Sequence, residues 1–359
     1  MVGAGPAGSS AARAAAEGGA RTLLVDQRRE LGAPAQCGEF LPTPTELADL
    51  FGPEAGIARL YRIPPETILR ETRSMACVAP SGRRYRFPLQ GFEVSRRAFD
   101  KRLALDAEGA GAELRHPCGI TEVRGHTVRA ASGVEFEAKV VIGADGPLSV
   151  VGRSVGLPRV PQMYQMVTAT VEGQFPDEIE LHFGRVAPGG YAWVFPKLDA
   201  ANVGLGVPAR PPGRTLEQLL DGFLSGRGIG PARDHIRWWV PLGPPPVSAV
   251  SGCAMLAGDA AHLVMATNGG GIPTAILSGA YAGRVAADHV RRGGPLSEYD
   301  HLLARHLSGP LDRAWKIKQF SDRFAAPDLL LSLAMRYIGS EGLDAMMRLR
   351  WPKRLRRNS

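Results

Sequence analysis

Cysteine is scarce. The 359 residues include four, Cys37, Cys77, Cys118 and Cys253, and none stands in C-x-x-C spacing. That distribution argues against zinc, iron–sulfur ligation and a disulfide framework, so no metal site is expected. Nor does the chain hold an apolar run of the roughly 18 residues that a membrane-spanning helix requires. No secretory leader precedes the first motif, which places the expected location in the cytoplasm. Acidic residues are outnumbered, 35 against 43 basic, for a net charge of +8.

What is present is a globular balance, 44% hydrophobic and 22% charged, in a chain long enough for two domains with sizeable cores. The excess cations gather at one end. Six of the ten residues at positions 348–357 are Arg or Lys, with Trp351 among them. Such a tail is suited to the anionic inner face of a membrane, reached peripherally. No helix-turn-helix, zinc finger or aromatic RNA platform accompanies it, so nucleic acid is not an expected partner.

The most informative stretch comes first. Gly3, Gly5 and Gly8 form G-x-G-x-x-G, followed by Ala-rich helix and then Arg21-Thr22-Leu23-Leu24-Val25, a buried strand that ends in Asp26. This is a dinucleotide-binding turn. Gly3 permits the tight turn, Gly5 lets the backbone approach a pyrophosphate, and Gly8 lets the helix pack on the strand. Ala7 lies in the first helical turn, whose amides and positive dipole end face the phosphates. Asp26 is placed to accept from a ribose hydroxyl. Only Met1 and Val2 precede Gly3, against about 5–6 residues in a usual strand. The first strand is therefore expected to be nearly absent and the natural start to lie upstream.

Periodicity then predicts a helix that begins within residues 94–100 and runs to about Gly109, a hairpin over 127–136, and a buried strand ending in Gly143-Ala144-Asp145-Gly146. Alternating strands at 166–171, 179–183, 191–195 and 202–207 predict an antiparallel sheet. A further buried strand ends at Gly258-Asp259, a long helix runs over 272–292, and short helices broken at Pro310, Pro327 and Gly339 follow. The expected fold class is α/β. A discontinuous Rossmann-like FAD-binding domain (1–50, 92–158 and 247–310) carries an inserted antiparallel-sheet substrate domain (51–91 and 159–246). A helical C-terminal segment (311–359) completes the chain.

Three nucleotide-site elements stand in order: the glycine turn, Gly143-Ala144-Asp145-Gly146, and Gly258-Asp259-Ala260-Ala261-His262. Together they resemble the FAD-dependent oxidoreductases of the p-hydroxybenzoate hydroxylase fold. That resemblance implies FAD as cofactor, with Asp259 on the ribitol and Asp145 and Gly146 bracing the site. Gly258 belongs to the same element. Arg96, in Val94-Ser95-Arg96-Arg97-Ala98-Phe99-Asp100, would approach the flavin phosphates. Within this class three segments look like the geranylgeranyl reductase family, which saturates isoprenoid double bonds. They are Pro34-Ala35-Gln36-Cys37-Gly38-Glu39, Tyr191-Ala192-Trp193-Val194-Phe195-Pro196-Lys197 with Gly204-Leu205-Gly206, and Asn268-Gly269-Gly270-Gly271-Ile272. The resemblance implies a prenyl lipid or isoprenoid substrate and a near-flavin role for Cys37 in positioning or proton transfer.

The chemistry agrees with that family. Gly269, Gly270 and Gly271 open a helix and are expected to leave bare amides, with Ile272, against the flavin edge where negative charge develops. Tyr191, Trp193 and Phe195 alternate along a strand and so share one face, a wall suited to a prenyl chain. Two other chemistries share the fold: hydroxylation of an aromatic or polyketide substrate, and electron transfer to quinone. The Leu263–Gly271 loop lacks the Pro-Pro and Gly-Gln-Gly-like turn of hydroxylases, and there is no cysteine cluster for an iron–sulfur partner. Saturation of an alkene is therefore favoured. The electron donor is NAD(P)H or a ferredoxin, since no second glycine-rich nucleotide turn is evident. His262 stands where prenyl reductases often carry Gly.

Overall fold

The computed structural model describes residues 1–157, 162–208 and 213–355. Two sheets organise them, one largely parallel and one largely antiparallel. In the first, Leu23–Val25 pairs in parallel with Glu113–Arg115, and Ala254–Leu256 with Val141–Gly143, while Val250–Ser251 adds an antiparallel edge. The two ladders are joined by Val2, which bridges Val25 on one side and Gly143 on the other. Four backbone hydrogen bonds, Val2 N–H to Ile142 O, Gly3 N–H to Val25 O, Val25 N–H to Met1 O and Ala144 N–H to Val2 O, lie between 2.8 and 3.0 Å. Short as it is, the first strand therefore closes the sheet.

The helices Pro6–Glu17 and Ile272–Arg292 pack on this sheet and on each other. Their approach leaves no room for side chains at the crossing. A Cβ at Gly279 would fall 2.1 Å from the carbonyl oxygen of Ala7, and one at Gly283 would fall 2.1 Å from that of Ala11. The Arg96–Gly109 helix is capped by Ser95, whose Oγ accepts from Ala98 N–H at 3.3 Å.

The second sheet has eight strands in the order Arg233–Pro241, Met163–Glu172, Ala200–Val207, Tyr191–Pro196, Ile179–His182, Ile68–Val78, Arg84–Val94, Phe40–Pro42. All neighbours are antiparallel except Ile179–His182 against Ile68–Val78. Phe40–Pro42 lies at its edge, although its sequence position falls in the nucleotide-binding part; it is held there by pairing with Glu93, Phe92 and Gly91. The side chains of one face, Met166, Leu181 and Trp193, form a core with Met335, Leu343 and Met347 of the last helix. The opposite face, with Ala192, Val194 and Val203, packs on the Leu216–Ser225 helix.

The C-terminal part differs from expectation at Pro310. This proline does not split the helix. It sits in the first turn of Gly309–Asp322, and the chain before it widens into a π segment, Ala304–Ser308. The missing proline N–H cannot serve a carbonyl four residues back, and the wider turn absorbs that mismatch. The last helix, Asp328–Met347, is kinked at Gly339, as its sequence predicts. Among the described residues no helix is long and apolar enough to cross a membrane.

Candidate active site

A cavity of about 1020 Å³ opens where the two sheets meet. The glycine turn forms one end. Gly3 has φ +97°, and a Cβ there would lie 2.3 Å from the Ala144 carbonyl oxygen. Gly8 faces the turn itself, its Cβ position 1.7 Å from the Gly3 carbonyl oxygen, whereas a Cβ at Gly5 would meet nothing within 4 Å. Gly3 and Gly8 thus build the turn, and Gly5 faces the cavity at the start of the Pro6–Glu17 helix, beside Ala7. The carboxylate of Asp26 accepts from Ala4 N–H and Arg28 N–H, both at 2.7 Å, which ties the strand end to the turn. A bare backbone step at a helix N-terminus, with a carboxylate alongside, fits the diphosphate and ribose of a dinucleotide. The volume lies at the upper end of the roughly 300–1,000 Å³ of small-molecule sites.

Asp145 also borders the cavity, but its carboxylate is turned into the chain. It accepts from Ser149 Oγ at 2.6 Å and from the Val150 and Val151 amides at 2.7 and 3.2 Å. It holds the loop in which Gly146 (φ +81°) faces open space.

Further along, Gly258–Ala261 forms a 3-10 turn that carries Asp259 into the cavity. Burial pushes the Asp259 carboxyl up to about 6, with Arg96 pulling in the opposite direction. A ligand hydroxyl that donates to this group favours its ionised form. FAD binding should therefore tighten as pH rises through 6, by about tenfold between pH 5 and pH 7 if the bound carboxylate is fully ionised. Fluorescence titration of the apoprotein measures this. Asp259→Asn should flatten the dependence, and a flat profile for the unmodified chain would count against contact with Asp259. His262 caps the same turn in a left-handed conformation and is not among the residues lining the cavity; burial lowers its imidazole to about 4, so it is neutral near pH 7.

The glycine run differs from expectation in one respect. Gly270 N–H is not bare: it donates to Asn268 Oδ1 at 2.9 Å. Tyr191 Oη donates to the Asn268 carbonyl oxygen at 2.6 Å, and a Cβ on Gly269 would fall 2.9 Å from that hydroxyl. The amides of Gly271 and Ile272 have no acceptor among the described residues, and they open a helix of 21 residues. Gly269 N–H is likewise taken, donating to the Met265 carbonyl oxygen at 2.8 Å, so the bare amides begin two residues later than the sequence implied, at Gly271.

Opposite this helix stand Tyr191, Trp193 and Phe195 on one face of their strand, as the alternation requires, with ring centroids 6.2 and 6.1 Å apart in sequence. The 35–39 segment lies across them. A Cβ on Gly38 would come within 2.7 Å of the Phe195 ring. Cys37 follows the same path into the cavity. Burial pushes its thiol up, and the neighbouring Arg96 pulls it down. Arg96 also borders the cavity; its guanidinium is clamped by Asp100 at 3.0 and 2.8 Å, one helical turn along, and is held beside Cys37.

Sequence reasoning did not single out the polar network beneath Cys37. Asn202 Nδ2 donates to the Cys37 carbonyl oxygen at 3.0 Å and to Glu39 Oε2 at 3.1 Å, while Asn202 Oδ1 accepts from Trp193 Nε1 at 2.8 Å and Thr168 Oγ1 at 2.7 Å. Lys197 pairs with the same Glu39 oxygen. Behind them Glu93 is fully buried with neither carboxylate oxygen hydrogen-bonded, and burial together with nearby Glu39 raises it well above the ordinary carboxylate range. Glu39 and Lys197 each lie within a segment that the sequence did mark, and that proximity was the available signal.

A second chamber of about 480 Å³ adjoins the first. Tyr191, Met166, Gly269 and Met347 border both, and the rest of its lining, such as Phe320, Leu331 and Met335, is almost wholly apolar. The basic tail closes part of this region. Arg348 pairs with Glu46 and, at 2.8 Å, with Asp344, and the Trp351 ring stands edge-on to Phe320 at 5.6 Å. Arg348 and Trp351 are thus engaged by the protein; Arg356 and Arg357 lie outside the described residues.

The sequence model of the geranylgeranyl reductase catalytic domain matches residues 160–236, and that of an NAD(P)-binding Rossmann-like domain matches residues 1–50. Digeranylgeranylglycerophospholipid reductase 2 of Methanosphaera stadtmanae is 32% identical over 351 residues, covering 89% of this chain and 86% of the relative. Digeranylgeranylglycerophospholipid reductase 1 of Methanopyrus kandleri is 34% identical over 391 residues, covering 97% and 96%. Among solved structures, a geranylgeranyl bacteriochlorophyll reductase-like protein from Thermoplasma acidophilum superposes with a TM-score of 0.84 at 28% identity, covering 99% of this chain and 96% of that one. The halogenase PltM, solved with FAD, shares the fold at 16% identity, with a TM-score of 0.70 and coverage of 97% and 80%. Relatives at this identity extend over most of the chain. On that ground the chain belongs to the geranylgeranyl reductase family of FAD-dependent oxidoreductases.

Proposed function

We propose that this protein saturates carbon–carbon double bonds of a geranylgeranyl or other prenyl group carried on a lipid. The observation that carries the reading is the adjacency of the two chambers. A cradle suited to a dinucleotide faces an aromatic wall, and residues of that wall, Tyr191 and Met166 among them, also border an apolar chamber suited to an isoprenoid chain.

In this reading residues 1–50, 92–158 and 247–310 supply the FAD-binding part. Gly3, Gly5, Ala7 and Gly8 receive the diphosphate, Asp26 the ribose, and Asp259 with Gly258 the ribitol. Asp145, Gly146 and Arg96 keep the walls in place. Gly269, Gly270, Gly271 and Ile272 present the helix end to the flavin ring. Bound FAD, once reduced by NAD(P)H or a ferredoxin, supplies the hydride. Tyr191, Trp193 and Phe195 hold the alkene flat in the cavity, and positioning of this kind is worth several kcal/mol, up to roughly 7–11. The Cys37 thiol, kept protonated by burial, gives its proton to the second alkene carbon. Arg96 beside it stabilises the thiolate that remains. Glu39, Lys197 and Asn202 fix the backbone on which Cys37 rides.

The direct test is mass spectrometry of a geranylgeranyl glycerolipid incubated with reduced holoenzyme. A gain of two hydrogens per double bond is expected. A gain of one oxygen would replace this reading with that of a monooxygenase.

A further inference from the structure

Ten large hydrophobic side chains are exposed among the described residues, and four of them, Leu329, Leu330, Leu333 and Tyr337, fall within nine positions of the last helix. Leu329, Leu333 and Tyr337 recur every fourth residue, so they form one ridge along the outer face, and they are 70%, 52% and 57% exposed. The inner face of the same helix, through Leu331, Met335 and Ile338, lines the apolar chamber. Leu330, Leu333 and Tyr337 belong to both surfaces, since they are exposed and also border the chamber. The ridge is therefore the rim of the chamber mouth.

Cations without a carboxylate outnumber free acids near the ridge. Arg336 on the same helix and Arg354 beside it have no carboxylate partner within 4.0 Å among the described residues, whereas the acids Asp322, Asp328 and Asp344 are taken by Lys318, Arg185 and Arg348, leaving Glu341. Arg354 lies 5.9 Å over the Tyr337 ring and donates to the Tyr337 carbonyl oxygen. An apolar ridge flanked by Arg336 and Arg354 is complementary to a bilayer bearing anionic headgroups.

We propose that the 329–337 face of the last helix seats the enzyme on an anionic membrane and that lipid-borne prenyl chains enter the apolar chamber across this rim. The contact is thus centred on a helix face, with Arg354 of the tail beside it, while Arg348 and Trp351 are engaged by the protein. The inference builds on the proposed prenyl-lipid substrate. A lipid whose chain must reach the cavity would otherwise have to pass through water.

The test uses full-length holoenzyme and vesicles of phosphatidylcholine with phosphatidylglycerol. Leu329→Glu/Arg336→Glu changes two exposed positions that do not line the chamber. Wild type is expected to co-sediment with the vesicles at low salt. The double variant should bind at least about tenfold less, and should reduce vesicle-embedded geranylgeranyl lipid correspondingly more slowly. Its FAD content and its turnover of detergent-dispersed geranylgeranyl diphosphate should be unchanged. Absence of vesicle binding by wild type, or equal binding by the variant, overturns the proposal. So does a change from dimer to monomer in the variant, since the ridge would then be an interface between copies. Should wild type bind vesicles yet reduce neither prenyl substrate, the docking surface stands and the substrate reading falls.

Discussion

A folded chain without flavin is the expected product of Gly5→Val. Gly5 has φ −76°, a value that any L-residue adopts, and a Cβ there meets no protein atom within 4 Å. The substitution therefore leaves the turn itself undisturbed. Its two methyl groups occupy the one direction in which the backbone is open, which is where a diphosphate must approach to reach the helix amides. Affinity for FAD should fall at least about 100-fold, or roughly 2.7 kcal/mol. Gly8→Val is the contrast, since its Cβ position lies 1.7 Å from the Gly3 carbonyl oxygen and the helix cannot move aside without leaving the sheet. That variant should fail to fold. Flavin absorbance after gel filtration, read alongside circular dichroism, separates the two outcomes. A Gly5→Val protein that stays yellow would mean the diphosphate lies elsewhere.

Cys37→Ala is expected to lower turnover by about 100- to 10,000-fold, the range for loss of a positioned proton donor, with FAD content unchanged. In the proposed mechanism the Cys37 thiol is the proton donor, and its surroundings hold it in place. Its Sγ accepts from Glu39 N–H at 3.1 Å, Asn202 holds its carbonyl oxygen, and Arg96 stands ready for the anion. Removing the sulfur leaves all of those groups in place, so the defect should appear in kcat under single-turnover conditions rather than in folding. Cys37→Ser should recover part of the rate, because a hydroxyl donates less readily than a thiol. If the alanine variant turns over prenyl lipid at the wild-type rate, the proton comes from another group and Cys37 is a packed thiol.

Local signals were legible in the sequence wherever short-range chemistry decides the structure. The turn at Gly3, Gly5 and Gly8, the helix that begins within residues 94–100, the alternation through Tyr191, Trp193 and Phe195, and the helix opening at Ile272 all depend on neighbours a few residues away. What escaped depends on distant pairing. The Asn202 side chain reaches a backbone carbonyl 165 residues earlier, and Lys197 meets Glu39 across 158. No periodicity records such meetings. The same holds for Phe40–Pro42, whose place in the sheet is set by Arg84–Val94 and not by its own composition. Arg96 shows a different limit. Its position was readable, but the acid one turn along that captures it was read only as part of a motif.

One seam in the large sheet has a consequence for how the protein can be divided. Residues 160–236, the stretch matched to the catalytic domain, contain the strand Ile179–His182, and its outer neighbour is Ile68–Val78, about a hundred residues earlier in the chain. Severed from that partner, the strand would expose a row of unpaired amides and carbonyls along its edge, a template for other chains. Its inner face would also lose Met335, Leu343 and Met347. Expressed alone, the stretch should elute as aggregate rather than as a small domain. The segment that bears the family's name is therefore not a transplantable module. It can be inherited, recombined or redesigned only together with the frame that supplies its missing edge.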